Sequence, residues 1–174
     1  CLRWVKMITI PSGDTNKGLD SVSHVWTELQ NGGASRHSLL INMGGGMVTD
    51  LGGFAASCFK RGINFINIPT TLLAMVDASV GGKTGINTPQ GINFGALKNE
   101  IGVFNDSRYV ILDTVFLRTL DHENILSGYA EMLKHALISD EKMWADLITF
   151  NLDNPDMNAL GRMLAESVKI KERI

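Results

Sequence analysis

Gly44-Gly-Gly-Met-Val-Thr-Asp-Leu-Gly-Gly53, preceded by the apolar run Ser38-Leu-Leu-Ile-Asn42, decides the fold class of this chain. A short apolar run that ends in glycines and opens a helical pattern is the strand–turn–helix unit of an α/β protein. Glycines at that point let a backbone approach a pyrophosphate closely, and the helix beyond them offers free amides and a positive dipole end. The spacing is not the Gly-x-Gly-x-x-Gly of a Rossmann loop. Taken alone, the stretch therefore reads equally well as a tight turn with close helix packing at Gly52-Gly53.

Outward from it, the same alternation continues. Met7-Ile-Thr-Ile10, Phe65-Ile-Asn-Ile68 and Tyr109-Val-Ile-Leu112 join Ser38–Asn42 as strand candidates, and residues 19–29 and 48–61 carry helical patterns. After Asp113 the texture is helical, with apolar residues at three- and four-residue spacing over 123–139, 141–150 and 157–174. The expected fold is α/β: a mostly parallel nucleotide-binding sheet with flanking helices over residues 1–113. The beginning of an all-α C-terminal domain follows over 114–174.

Sixteen Lys and Arg against eighteen Asp and Glu give a net charge of −2, so no basic surface argues for nucleic acid. No apolar run approaches the roughly 20 residues of a membrane helix and no secretory signal opens the sequence, which leads to the expectation of a soluble, cytoplasmic protein. Cys1 and Cys58 make no disulfide framework. The chain opens at Cys1 and closes inside the helical pattern 161–174 without a capping signal, so it reads as a piece of a longer protein.

Val76-Asp-Ala-Ser-Val-Gly-Gly-Lys-Thr-Gly-Ile-Asn87 ends like a phosphate-binding loop. Such a loop needs a glycine five residues before the Gly of Gly-Lys-Thr, and Asp77 stands there, a carboxylate that would repel phosphate. Asp77 and Lys83 therefore require another use. Ser12-Gly-Asp-Thr-Asn-Lys17 is a polar loop after a strand candidate, suited either to ribose hydroxyls or to a solvated helix cap. Glu131 and Lys134, three residues apart, emerge from one helix face; spacing alone makes them an exposed ion pair. His135 is next in line as a metal ligand, but it sits a further residue round the helix, and a lone histidine beside Ala136-Leu137 is more often packing.

The order of these features along the chain is more specific than any one of them. Gly44 to Ser57, Lys60-Arg-Gly62, Ile68 to Asn87, Lys98-Asn-Glu-Ile-Gly-Val-Phe104 and Gly128-Tyr-Ala-Glu-Met-Leu-Lys134 together resemble the 3-dehydroquinate synthase family from about residue 8 to the end. The resemblance implies NAD in the α/β half, a divalent metal, zinc or cobalt, in the helical half, and a homodimer. The implied reaction turns 3-deoxy-D-arabino-heptulosonate 7-phosphate into 3-dehydroquinate and phosphate by oxidation, phosphate elimination, reduction and aldol closure.

Residue by residue, the resemblance implies cofactor contacts from Ser12, Gly13, Asp14, Thr15, Asn16 and Lys17, with Asp14 where the family more often has Glu. It implies further contacts from Gly45, Gly46, Met47, Val48, Thr49 and Asp50, from Thr70 and Thr71, from Lys83 and Lys98, and from Phe116, Leu117, Arg118 and Thr119. Glu131 takes the place of a metal ligand. Asp77, Lys83, Asn99 and Lys134 take the places of cleft residues, Lys171 of a phosphate-side lysine, and Arg61 of an arginine that reaches substrate phosphate across a dimer interface. The extra residues Thr88–Asn93 depart from the family pattern. The family's two metal-binding histidines fall beyond residue 174, and His24, His37, His122 and His135 do not match them, so these 174 residues alone are expected to be inactive. A sister sugar phosphate cyclase or a non-catalytic NAD-binding module are the alternatives.

Overall fold

The computed structural model describes residues 5–88 and 101–174. Lys98 and Asn99, and the Thr88–Asn93 insertion beyond Thr88, lie outside the described residues. Strands β1 (Leu39–Gly44) and β2 (Asn64–Pro69) pair in parallel, in register from Leu39 against Asn64 to Gly44 against Pro69. Between them runs helix α2 (Gly46–Cys58), preceded in the chain by α1 (Leu19–Asn31). The parallel sheet and flanking helices match the expected fold class.

Two strand candidates come out differently. Tyr109–Leu112 contributes a single parallel bridge, Asn67 with Val110. Met7–Ile10 finds no ladder partner among the described residues and stays irregular, while Ile8 and Ile10 pack on a core formed by Val22, Val25, Leu51, Ala55 and Ile86. An apolar run becomes a strand only where a neighbouring backbone offers hydrogen bonds. The alternate side chains Leu39, Ile41 and Met43 of β1 are exposed, so one face of this sheet is bare among the described residues.

Between β1 and β2 sits a polar pair. Asn42 donates through Nδ2 to Asn67 Oδ1 at 3.0 Å, buried, and α2 passes so close that a Cβ on Gly52 would lie 2.0 Å from Asn42 Oδ1. Gly52 is therefore a packing requirement, which settles half of the ambiguity in the opening stretch.

After β2 the chain makes a π-helical turn, Ala74–Ala78, in which Ser79 N–H donates to Ala74 O at 2.9 Å. Gly81 and Gly82 then take positive φ (90° and 67°) and lead into β3 (Lys83–Ile86), antiparallel to β4 (Ile101–Phe104). Gly-Lys-Thr thus opens a strand rather than a helix, and a phosphate-binding loop is excluded. A 3₁₀ turn (Thr114–Thr119) precedes α3 (His122–Ser139), α4 (Glu141–Ile148) and α5 (Met157–Lys171). Asp121, Asp140 and Asp156 cap these three helices by accepting from backbone amides of their first turns. No helix among the described residues is long and apolar enough to cross a membrane.

The π turn is the joint between the two textures. Leu72, Met75 and Val76 enter one buried cluster with Leu117, Tyr129, Met132, Leu147, Leu160 and Leu164 of the helical part. Tyr129 completes it: its hydroxyl donates to Leu147 O at 2.7 Å, and burial pushes its pKa up to about 12. Because the folded value is raised, the stabilisation is full below the unfolded value near 10 and is lost as pH rises through 12. Tyr129→Phe is expected to cost about 1 kcal/mol at pH 8 and to lack this alkaline component. Urea denaturation of parent and variant between pH 8 and 12 checks both; parallel curves would contradict the assignment.

Candidate functional site

In a parallel sheet, ligands gather where strands end and helices begin. Here the ends of β1 and β2 are tied together, Thr70 N–H donating to Gly44 O at 2.8 Å. A Cβ on Gly45 would meet Thr71 Cγ2 at 3.2 Å, and one on Gly46 would meet Ala78 Cβ at 3.2 Å. The glycine loop and the threonine pair predicted from sequence therefore form one surface, at the N-terminus of α2. Val48 and Thr49 amides donate to Gly45 O, and Thr49, buried, donates its hydroxyl to Gly46 O. Thr71 Oγ1 accepts from Ala74 N–H and so starts the turn that carries Asp77.

The Ser12–Lys17 loop folds onto the same place. Its 3₁₀ turn (Asp14–Asn16) is followed by Lys17, only 7% exposed, whose Nζ lies 2.6 Å from Asp50 Oδ2. Asn87 fixes the loop from the other side: its N–H donates to Lys17 O at 2.7 Å and its Nδ2 to Asp14 O at 3.2 Å. Burial pushes the Asp50 carboxyl above its ordinary pKa, Lys17 pulls it back, and the Asp77 carboxylate adds to the rise. Asp50 and Asp77 are thus electrostatic neighbours.

Asp77 in turn holds the last helix. Its Oδ1 lies 2.7 Å from Lys171 Nζ, and the lysine side chain is only 18% exposed. The predicted cleft acid and the predicted phosphate-side lysine, distant in sequence, meet across the joint. Lys83 is exposed and lines a cavity of about 380 Å³ with Ser79, Asp106, Arg108, Val168 and Glu172.

On α3, Glu131 accepts from Lys134 Nζ, as the three-residue spacing predicts. It is no ordinary surface pair, because the Glu131 side chain is only 16% exposed and His135 Nε2 approaches the same oxygen, Oε1, at 3.3 Å. His135 is fully buried, and its Nδ1 lies 2.8 Å from Ser167 Oγ of α5. Burial holds the imidazole below its ordinary pKa, against the opposing pull of Glu131, and Lys171 and Asp77 also act on it. The acids and lysines of both textures therefore form one connected field running Lys17, Asp50, Asp77, Lys171, His135, Glu131, Lys134. Asn87 and Ser167 also join it without having been singled out from the sequence, and only Asn87 had a signal, as the end of the Gly-Ile-Asn run; His135, read as a packing residue, is buried but also touches Glu131 and Ser167.

Other expected residues stand apart. Arg61 is exposed, with left-handed backbone (φ 68°), about 20 Å along α2 from the glycine loop. Leu117 is buried in the helical core with half-buried Phe116 packed beside it, while Arg118 and Thr119 are exposed. Among the described residues no three His, Cys, Asp or Glu side chains converge as a metal cage. Glu131 fits a metal as one carboxylate of a larger set.

Residues 7–127 match the 3-dehydroquinate synthase N-terminal family. A 3-dehydroquinate synthase of Parabacteroides distasonis is 54% identical over 168 residues, 97% of this chain and 46% of its own length. One of Helicobacter pylori is 43% identical over 170 residues, 98% of this chain and 47% of its own. Among solved structures, 2-epi-5-epi-valiolone synthase of Streptomyces hygroscopicus, with NAD⁺ and Zn²⁺ bound, superposes with a TM-score of 0.79 at 30% identity, over 93% of this chain and 45% of its own. The 2-deoxy-scyllo-inosose synthase complexed with carbaglucose-6-phosphate, NAD⁺ and Co²⁺ gives 0.82 at 26%, over 94% and 44%. This chain spans a little under half the length of these relatives.

Proposed function

Because the chain belongs to the 3-dehydroquinate synthase family, we propose that the protein carrying it converts 3-deoxy-D-arabino-heptulosonate 7-phosphate into 3-dehydroquinate and phosphate. NAD would supply reversible hydride acceptance and a divalent metal, zinc or cobalt, would supply Lewis acidity. The chain's own residues bind, orient and hold charge. Backbone amides at Gly45–Met47 and the dipole of α2 suit a pyrophosphate. Lys17, locked to Asp50, fixes the loop Ser12–Asn16 beside it, and Thr70, Thr71, Arg118 and Thr119 complete that side.

Lys171 and Lys83 suit the anionic ends of a sugar acid phosphate, each as a point charge. Asp77 keeps Lys171 extended toward the cleft before substrate arrives, which lowers the cost of ordering a long side chain on binding. Glu131 serves the metal, and Lys134 stands beside it as a cation near the reacting carbons. Asn99 and Lys98 belong to the same proposal on resemblance alone. Arg61, exposed and remote from the glycine loop, suits a role across a homodimer interface.

One observation carries the reading: Asp77, in the turn after β2, pairs with Lys171 of α5 at 2.7 Å and so ties the two halves together. A cofactor-only module has no need of an acid on α3 placed with its own lysine and buried histidine. These residues alone provide one carboxylate, while catalytic zinc takes three protein ligands, so turnover by this stretch in isolation is not expected.

The test is phosphate release by the intact protein from the heptulosonate phosphate, with and without NAD and after chelation. Release that needs both, with 3-dehydroquinate as product, supports the proposal. Preference for a hexose phosphate or for a different seven-carbon phosphate would reassign the protein to a sister cyclase, and NAD binding without any release would make it a binding module.

A further inference from the structure

The buried imidazole of His135 is not explained by packing. Its side chain is fully excluded from solvent, yet Nε2 completes no hydrogen bond, and Glu131 Oε1 stands just short of one at 3.3 Å. Leaving a buried nitrogen unpaired is unfavourable, and a leucine at that position would fill the space without that cost. Ser167, itself fully buried on α5, sits 2.8 Å from Nδ1 and fixes the ring against rotation. The edge so fixed aims Nε2 at Glu131 Oε1, 3.3 Å away and one helical turn back. Lys134 reaches the same oxygen. Both contacts fall on Oε1, and Oε2 takes part in neither.

We propose that His135 is a positioning residue for Glu131: held by Ser167, its Nε2–H closes the 3.3 Å gap to Oε1 when a divalent cation binds, leaving Oε2 for the cation. The inference rests on the reading of Glu131 as the metal-side carboxylate. In it the Ser167 hydroxyl donates to Nδ1, the proton of the neutral imidazole resides on Nε2, and the carboxylate accepts. A carboxylate anchored through one oxygen has lost most of its rotational freedom, and outer partners of this kind commonly set affinity over one to two orders of magnitude. Metal ligation by His135 itself is the competing chemistry, because a nitrogen and an oxygen 3.3 Å apart can also share one cation.

Side-chain amides separate the two. In His135→Gln the amide nitrogen reaches roughly where Nε2 was, so it can still grip Oε1, but it is a poor metal ligand. In His135→Asn the amide stays near Nδ1, keeping the bond to Ser167 and losing the one to Glu131. His135→Phe keeps the volume alone. Each is made in the intact protein, with Zn²⁺ affinity measured by chelator competition and the Co²⁺ ligand-field spectrum as a second readout.

His135→Phe and His135→Asn are expected to weaken Zn²⁺ by roughly 10- to 100-fold and to shift the cobalt bands. His135→Gln is expected to stay near the parent, and Ser167→Ala to fall between. NAD affinity is expected to be unchanged throughout. Should His135→Phe fail to fold, the Gln and Asn pair and Ser167→Ala carry the same comparison.

Parent-like affinity in the Asn and Phe variants overturns the inference, and so does a Gln variant as weak as Phe. Glu131→Ala tells the two levels apart. If it removes metal binding while the His135 variants leave it intact, only the positioning role fails. If it leaves metal binding intact, the reading of Glu131 fails and takes the positioning role with it.

Discussion

Glu131→Ala in the intact protein is expected to lower turnover by about 10³-fold or more while leaving NAD affinity and the melting temperature nearly unchanged. Two accounts of this residue differ in magnitude. As half of an exposed i, i+3 ion pair with Lys134, it would be worth only about 0.2–0.5 kcal/mol of helix stability and nothing to activity. As the carboxylate serving a Lewis acid, it supports transition-state charge worth several kcal/mol, and each 1.4 kcal/mol is a factor of ten in rate. The structure favours the second, because the Glu131 side chain is mostly covered and is approached by a buried histidine as well as by the lysine. Steady-state assays of the variant beside Glu166→Ala, which breaks the exposed i, i+3 pair with Lys169 on α5, decide it. Turnover within tenfold of the parent would return Glu131 to the helix surface.

Gly128→Ala is the second large effect, and it acts through the backbone. A Cβ at this position would lie 2.5 Å from Leu73 N and 2.6 Å from both Leu72 Cβ and Cγ. The amide nitrogen cannot swing away as a side chain can, so α3 must lift off the π turn. Overpacking of this kind costs about 3 kcal/mol at the upper end of its usual range. The same displacement separates Glu131, one turn further along α3, from Asp77, so activity should fall further than the folded fraction does. Gly161→Ala on α5 is the matched control: its Cβ would meet only Thr114 Cγ2, at 3.5 Å, and removing a helical glycine should be neutral or stabilising by about 1 kcal/mol. Chemical denaturation of both variants checks this. Equal stabilities would mean that α3 and the π turn are not in the contact described.

The parts of this molecule that local pattern governs were legible in the sequence. The strand–glycine–helix unit at 39–58 and the three late helices follow from periodicity. Asp77 in place of a required glycine was enough to reject a phosphate loop, and Lys83 indeed opens a strand. The hairpin of β3 and β4 was missed because Lys-Thr-Gly-Ile and Ile-Gly-Val-Phe are short and glycine-broken, and their pairing is made between strands far apart in the chain. The run 109–112 shows the converse, strongly apolar yet joined by one bridge. At the site, spacing gave Glu131 with Lys134, but nothing local announces that Asp77 will meet Lys171 or that His135 will meet Ser167. Those contacts exist only after α5 has packed against the joint, and propensity has no access to them.

The π turn at Ala74–Ala78 amounts to a single surplus residue wound into a helix, since its hydrogen bond spans five residues rather than four. Taking one residue out would let an ordinary α turn form at little local cost, but everything after it would be turned by about 100° about the axis. Asp77 would then face a new direction and Lys171 would lose its counter-ion. The length of this segment is therefore constrained as tightly as its buried side chains: its phase is what the two halves of the site share.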